Sequence, residues 1–192
     1  MKKIVIGIAG VAAILVGGFF ALNSYIYNEK QASPVAEHKN AQYVIDGQHI
    51  KLEDGKAESE AAPGSASKIV TRYFGNELST DLNDDGRDDI IFLLTQETGG
   101  SGIFHYVVAA LNTERGYIGS DGYLLGDRIA PQTIEISPNP RHKNVIVANY
   151  ADREVGQPMT MQPSVGKSVF LKLDSVSMQW GIVEPSFEGE SR

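Results

Sequence analysis

Cysteine is missing from all 192 residues, which excludes a disulfide framework, a thiolate zinc site, a lipid-modified cysteine and a thiol nucleophile. No stretch after Leu22 carries a convincing helical period, and no G-x-S-x-G elbow offers a serine nucleophile. Positive charge is short as well. All 24 Asp and Glu lie after the first 28 residues, and two of the 17 Lys and Arg are Lys2 and Lys3. The remainder therefore sets 15 cations against 24 anions, a net −9. Such an acidic surface argues against a nucleic-acid partner and against charge-driven adhesion to anionic lipid. What is present is an ordinary globular composition, 42% hydrophobic and 21% charged, long enough for one sizeable domain.

The longest apolar run, residues 4–22, follows Met1-Lys2-Lys3. At ~1.5 Å per residue it spans roughly 28 Å as a helix, close to the ~30 Å hydrocarbon core of a bilayer. The two lysines predict a cytoplasmic start, with everything after residue 27 outside the cell membrane. Asn23, Tyr25 and Tyr27 would form the interfacial collar. A cleaved signal peptide is the competing reading, but the run exceeds a usual signal core and no A-x-A site follows it. Ala9, Ala13, Gly17 and Ala21 recur at four-residue spacing, which would let two anchors approach as a weak homodimer.

Residues 28–42 are polar and aperiodic and read as a tether. Residues 43–60 hold short alternating runs broken by Asp46-Gly47 and Asp54-Gly55, the signature of a small β-meander. Residues 61–67 read as a connector and 68–192 as the main domain. Strands are predicted at 69–74, 90–96, 103–111, 133–136, 145–150 and 168–173, with a short helix as an option for 68–74. Residues 90–94 and 106–111 are apolar on both faces, so they belong at the centre of a covered sheet. The expected class is mainly β: an N-terminal transmembrane helix, a small β-meander and an antiparallel, sandwich-like sheet domain with little helix.

Residues 81–89 concentrate five aspartates and one asparagine into nine positions, with Gly86 where the loop must turn. So many like charges repel one another unless a hard, oxygen-seeking cation joins them, and calcium is the natural choice. The Asp81, Asn83, Asp85, Gly86 spacing matches the first half of an EF-hand loop, but the twelfth position is Phe92, so a bidentate Glu is lacking. Asp89, at the ninth position, would close the shell instead. The predicted calcium ligands are the side chains of Asp81, Asn83, Asp85 and Asp89 with the backbone carbonyl of Arg87, the ion acting as a structural staple.

This run resembles the D-x-[DN]-x-D-G-x-x-D loop of FG-GAP/VCBS-type and dockerin-type calcium modules. The likeness covers about nine residues and one strand. It implies a calcium loop that joins β-strands. No second copy occurs, so this chain alone cannot form a propeller. More broadly, residues 62–67, 71–77 and 94–102 are similar to a group of small membrane-anchored exported bacterial proteins, a likeness spanning most of 43–173. That likeness implies the domain and no activity.

Other signals are plainer. Gly99-Gly100-Ser101-Gly102 lacks the Lys and following helix of a phosphate loop and reads as a hairpin turn. His105 alternates with Ile103 and Val107 and should point into the core or to a strand-edge hydrogen bond. His38, His49 and His142 have no metal-ligand spacing. Glu53 with Asp54, or Glu97 with Asp127, can be imagined as an acid/base pair, and nothing in the sequence joins either. Asp127-Arg128 and Asp152-Arg153 read as ion pairs, and residues 152–166 as a long loop that is either the best candidate for a binding surface or a loosely packed excursion. The expectation is a membrane-anchored, extracytoplasmic, calcium-stabilised binding or scaffold domain whose partner is an envelope protein or glycan. The alternative is an envelope hydrolase acting on cell-wall or glycan substrates.

Overall fold

Two strand segments, 90–94 and 106–111, are apolar on both faces and need cover on each, and the architecture follows from how that cover is supplied. The structure, a computed structural model, describes residues 34–184. The anchor segment, its small-residue stripe and the first part of the tether lie outside the described residues. After one 3-10 turn at His38–Asn40, the described chain forms β1 (Gln42–Ile45), β2 (Gln48–Lys51), β3 (Lys56–Glu60), β4 (Lys68–Thr80), β5 (Asp89–Glu97), β6 (Phe104–Thr113), β7 (Gly116–Gly119), β8 (Tyr123–Asp127), β9 (Ala130–Ile136), β10 (Val145–Asp152), β11 (Val165–Asp174) and β12 (Gln179–Ile182). The fold is mainly β, and its sheets are antiparallel. No described helix is long and apolar enough to cross a membrane.

β3-β4-β5-β6-β7 form the larger sheet, with β8 paired to β6, and β12-β11-β10-β9 form a second sheet. Along β5 and β6 the side chains alternate between two cores, as strand geometry requires. Ile91, Leu93, Val107, Ala109 and Leu111 meet Ile134, Ile146, Ala148, Leu171 and Leu173 of the second sheet. Phe92, Leu94, Tyr106, Val108 and Ala110 meet Ala41, Tyr43, Ile45 and Leu52 from the β1-β2 hairpin and its flanks. The larger sheet is therefore a middle layer, covered by a sheet on one face and a hairpin on the other.

Residues 69–74 are strand as predicted, and the helical option for 68–74 is not taken: they open the thirteen-residue β4, whose Ile69, Val70 and Thr71 suit the pleat. Two other expectations change. The meander is not a separate body, because β3 pairs with β4 from Lys56↔Arg72 to Glu60↔Lys68, and residues 61–67 are only the loop between neighbours. Nor is the tether free up to residue 42. Val35 exchanges two backbone hydrogen bonds with Tyr117, at 3.0 and 2.7 Å, and the His38 ring packs on Phe92 and Tyr117. The polarity of this stretch hides its sparse apolar contacts, such as Val35 against Tyr117.

Candidate metal-binding loop

The acidic loop connects β4 to β5, so both of its ends are fixed by the middle layer. Its backbone is organised by its own side chains. The Asp81 Oδ1 accepts the N–H groups of Asn83, Asp84 and Asp85 at 3.1, 2.7 and 3.3 Å, and its Oδ2 accepts that of Gly86 at 2.8 Å. Two short turns continue the pattern: Asn83 Oδ1 accepts Asp85 N–H at 3.1 Å and Asp85 Oδ1 accepts Arg87 N–H at 2.9 Å. Aspartate and asparagine favour such turns because a short side chain can reach the amide two residues on. Gly86, at φ +81°, takes the left-handed conformation that closes the loop.

Asp89 is different in kind. It opens β5, is fully buried, and receives Leu82 N–H on Oδ2 at 2.9 Å and Asn112 N–H on Oδ1 at 2.8 Å. Burial pushes its carboxyl above the usual range, with the charges of Asp85 and Asp81 adding to the shift against the two amides. Asp81 moves the other way, held down first by the Gly86 amide and then by its neighbours. Arg87 is bound twice, by Nη2 to Asp85 Oδ2 at 2.7 Å and by Nε to the Asn112 carbonyl at 2.9 Å. The remaining two aspartates face outward: Asp84 pairs with Lys143 at 2.7 Å, and Asp88 accepts the Ser79 hydroxyl at 3.3 Å.

The fold thus gathers Asp81, Asn83, Asp85, Arg87 and Asp89 into one short connection. Their donor chemistry, all hard oxygens, suits calcium. Among the described residues no three His, Cys, Asp or Glu side chains are grouped so as to hold a metal ion. One amide and one backbone carbonyl belong to the predicted five, and Asp85 is engaged by Arg87. Sequence spacing could not reveal Asn112, which ties the loop to the end of β6 through three groups, or Lys143, which reaches it from the loop before β10. Beside the loop lies an open groove of about 620 Å³, with Asn83, Asp84, Lys143, Lys172 and Ile182 on its walls.

The other candidates disperse. Glu97 pairs with Arg72 and Asp127 with Arg128. Asp152 binds Lys167 at 2.7 Å, while Arg153 donates to the carbonyls of Met161 and Arg128. His38 bonds to Glu77, His49 to Gln42 and His142 to Ser137. Residues 99–102 lead into a strand, with no helix after them. In the long excursion after β10, Val155, Met159 and Met161 are exposed. Comparisons of the chain with protein-family models, with curated proteins and with solved structures find no match.

Proposed function

We propose that this chain is a membrane-anchored, extracytoplasmic β domain that binds or spaces other envelope components and is clamped by one calcium ion at residues 81–89. Residues 4–22 would supply the anchor. Asp81, Asn83, Asp85, Asp89 and the Arg87 carbonyl would hold the ion, which supplies positive charge among mutually repelling carboxylates. The observation that carries this reading is Asp89: a fully buried carboxylate, held by two amides and no cation, in the field of Asp81 and Asp85. Leaving a charge so placed is costly, and a divalent ion beside it removes the penalty. An ion would compete with the Arg87 guanidinium for Asp85, which fits an affinity of extracellular rank, on the order of 10⁻⁴ to 10⁻³ M.

Calorimetry of the full-length chain with calcium tests this directly. Heat with a one-to-one endpoint is expected, and it should be lost in Asp85→Ala. Absence of heat in the wild-type chain sinks the metal reading and leaves a tethered β domain. The hydrolase alternative draws no support from Glu97 and Asp127, since each carboxylate is turned to an arginine. Turnover of a glycan substrate that disappears in Asp127→Ala or Glu97→Ala, with the melting temperature unchanged, would restore it.

A further inference from the structure

At the end of the middle layer opposite the acidic loop, two strand irregularities converge on one buried imidazole. β4 slips its register against β5 between Tyr73 and Gly75, and β6 slips against β8 between His105 and Tyr106. Bulges of this kind re-aim side chains. Here they bring the Phe74 ring edge-on to His105, with centroids 5.4 Å apart. Asn76 and Arg128, both beside these slips, hold left-handed backbone at φ +56° and +50°. Strain of this sort persists only where the surroundings enforce it.

His105 keeps 5% of its surface exposed. The ring lies by the Ile103 backbone carbonyl, which accepts the Arg128 N–H at 2.7 Å. Its Nδ1 is buried with no hydrogen-bond partner. A neutral imidazole that carries its proton on Nε2 leaves a bare lone pair on Nδ1. A proton arriving at Nδ1 finds no acceptor and turns the ring into a buried cation. The charged groups around it are few and already engaged. On β8, Asp127 accepts the Ile103 N–H at 2.8 Å and Arg128 Nη2 at 2.9 Å. From the excursion after β10, Arg153 donates to the Arg128 carbonyl at 2.9 Å. On β4 and β5, Arg72 and Glu97 pair with each other, near Thr95, which stands opposite His105.

We infer that His105 is an acid-sensitive latch: uptake of a proton on Nδ1 draws the Asp127 carboxylate away from Arg128 and Ile103 and opens residues 98–103 and 126–129, releasing the already exposed Phe74 ring from its edge contact with His105. Asp127 is the two-position element, because the groups it now holds and the new imidazolium compete for the same two oxygens. Burial keeps the His105 ring below the ordinary histidine range, with the Ile103 carbonyl and Asp127 opposing the shift. The sign follows. The neutral ring supports the closed end fully above the ordinary value of about 6.5, and that support is lost as pH falls below it.

The test is hydrogen exchange on the full-length chain at pH 7.5 and 5.5, corrected for the chemical exchange rate, in the wild type and in His105→Gln. In the wild type, opening of 98–103 and 126–129 should rise about tenfold, the equivalent of one pKa unit. Residues 81–89 and the β10-β11 pair should not change, and the variant should be flat. An equal acid response in His105→Gln, or a response spread over the whole domain, overturns the latch. Because the variant can fail to fold, the wild-type His105 ring should also be titrated by NMR. A midpoint below about 6.5 that tracks the loop opening supports the latch, and a midpoint at or above it refutes it.

Discussion

Within one nine-residue loop, two aspartates with identical side chains answer to opposite forces. Asp81 sits among four amide N–H groups and ionises more readily than usual, whereas Asp89 is walled in and ionises less readily. For Asp81 the linked stability is present at neutral pH and is lost as pH falls through its depressed value; for Asp89 it is present in acid and lost as pH rises through its elevated one. Asp89→Asn separates charge from hydrogen bonding. The amide keeps the shape but has one oxygen for two donors, so its NH₂ must face either the Leu82 or the Asn112 N–H. A buried donor left without an acceptor costs ~1–3 kcal/mol. We expect urea melts in EDTA to show destabilisation of that order. If the variant is instead more stable, relief of charge repulsion outweighs the lost acceptor.

Among the elements, the β1-β2 hairpin is the one held by close approach. A Cβ on Gly119 would stand 2.3 Å from the Gln42 carbonyl and 2.7 Å from the Tyr43 ring, so only glycine lets β1 lie across β7. Gly119→Ala should cost ~1–3 kcal/mol through overpacking, and hydrogen exchange should rise across residues 42–52 while the β10-β11 pair stays protected. Equal loss in both regions would mean that the hairpin is not a separable layer. Phe92→Ala removes the ring that Tyr43 and His38 contact edge-on at 5.5 and 5.4 Å, and a cost of ~3–5 kcal/mol is expected in the same melts. The legibility of each element tracks its apolar content. β5 and β6 could be read because both parities are apolar, and β10 because Val145 to Ala148 are all buried. β3, Lys-Ala-Glu-Ser-Glu, could not be read as part of the main sheet: it is an almost wholly exposed edge strand whose charges discourage further pairing. The acidic loop was legible as a loop from its composition. The grip of Asn112 on it was not, because that contact depends on β6 returning beside β5.

On the scale of the whole domain, the loop's position matters more than its size. It joins β4 to β5, and β5 feeds side chains into both cores, so tightening this connection resists unfolding of all three layers together. If calcium binds as proposed, 100 times its Kd adds ~2.7 kcal/mol. For a domain of this length that corresponds to a rise of roughly 5–11 °C in Tm. Binding needs the carboxylates ionised, so acid must erase the increment. Without metal, Asp89 adds stability as pH falls toward the ordinary aspartate value of about 3.9 and Asp81 loses its own only below that value, so in EDTA these two groups should not lower the melt between neutral pH and about 4. The gap between melts in calcium and in EDTA should therefore be full at pH 7 and close by about pH 4, near the ordinary aspartate value. A gap that stays constant over that range would place the stabilising ion on groups other than Asp81, Asp85 and Asp89, and the acidic loop would then be a folded turn held by its own amides.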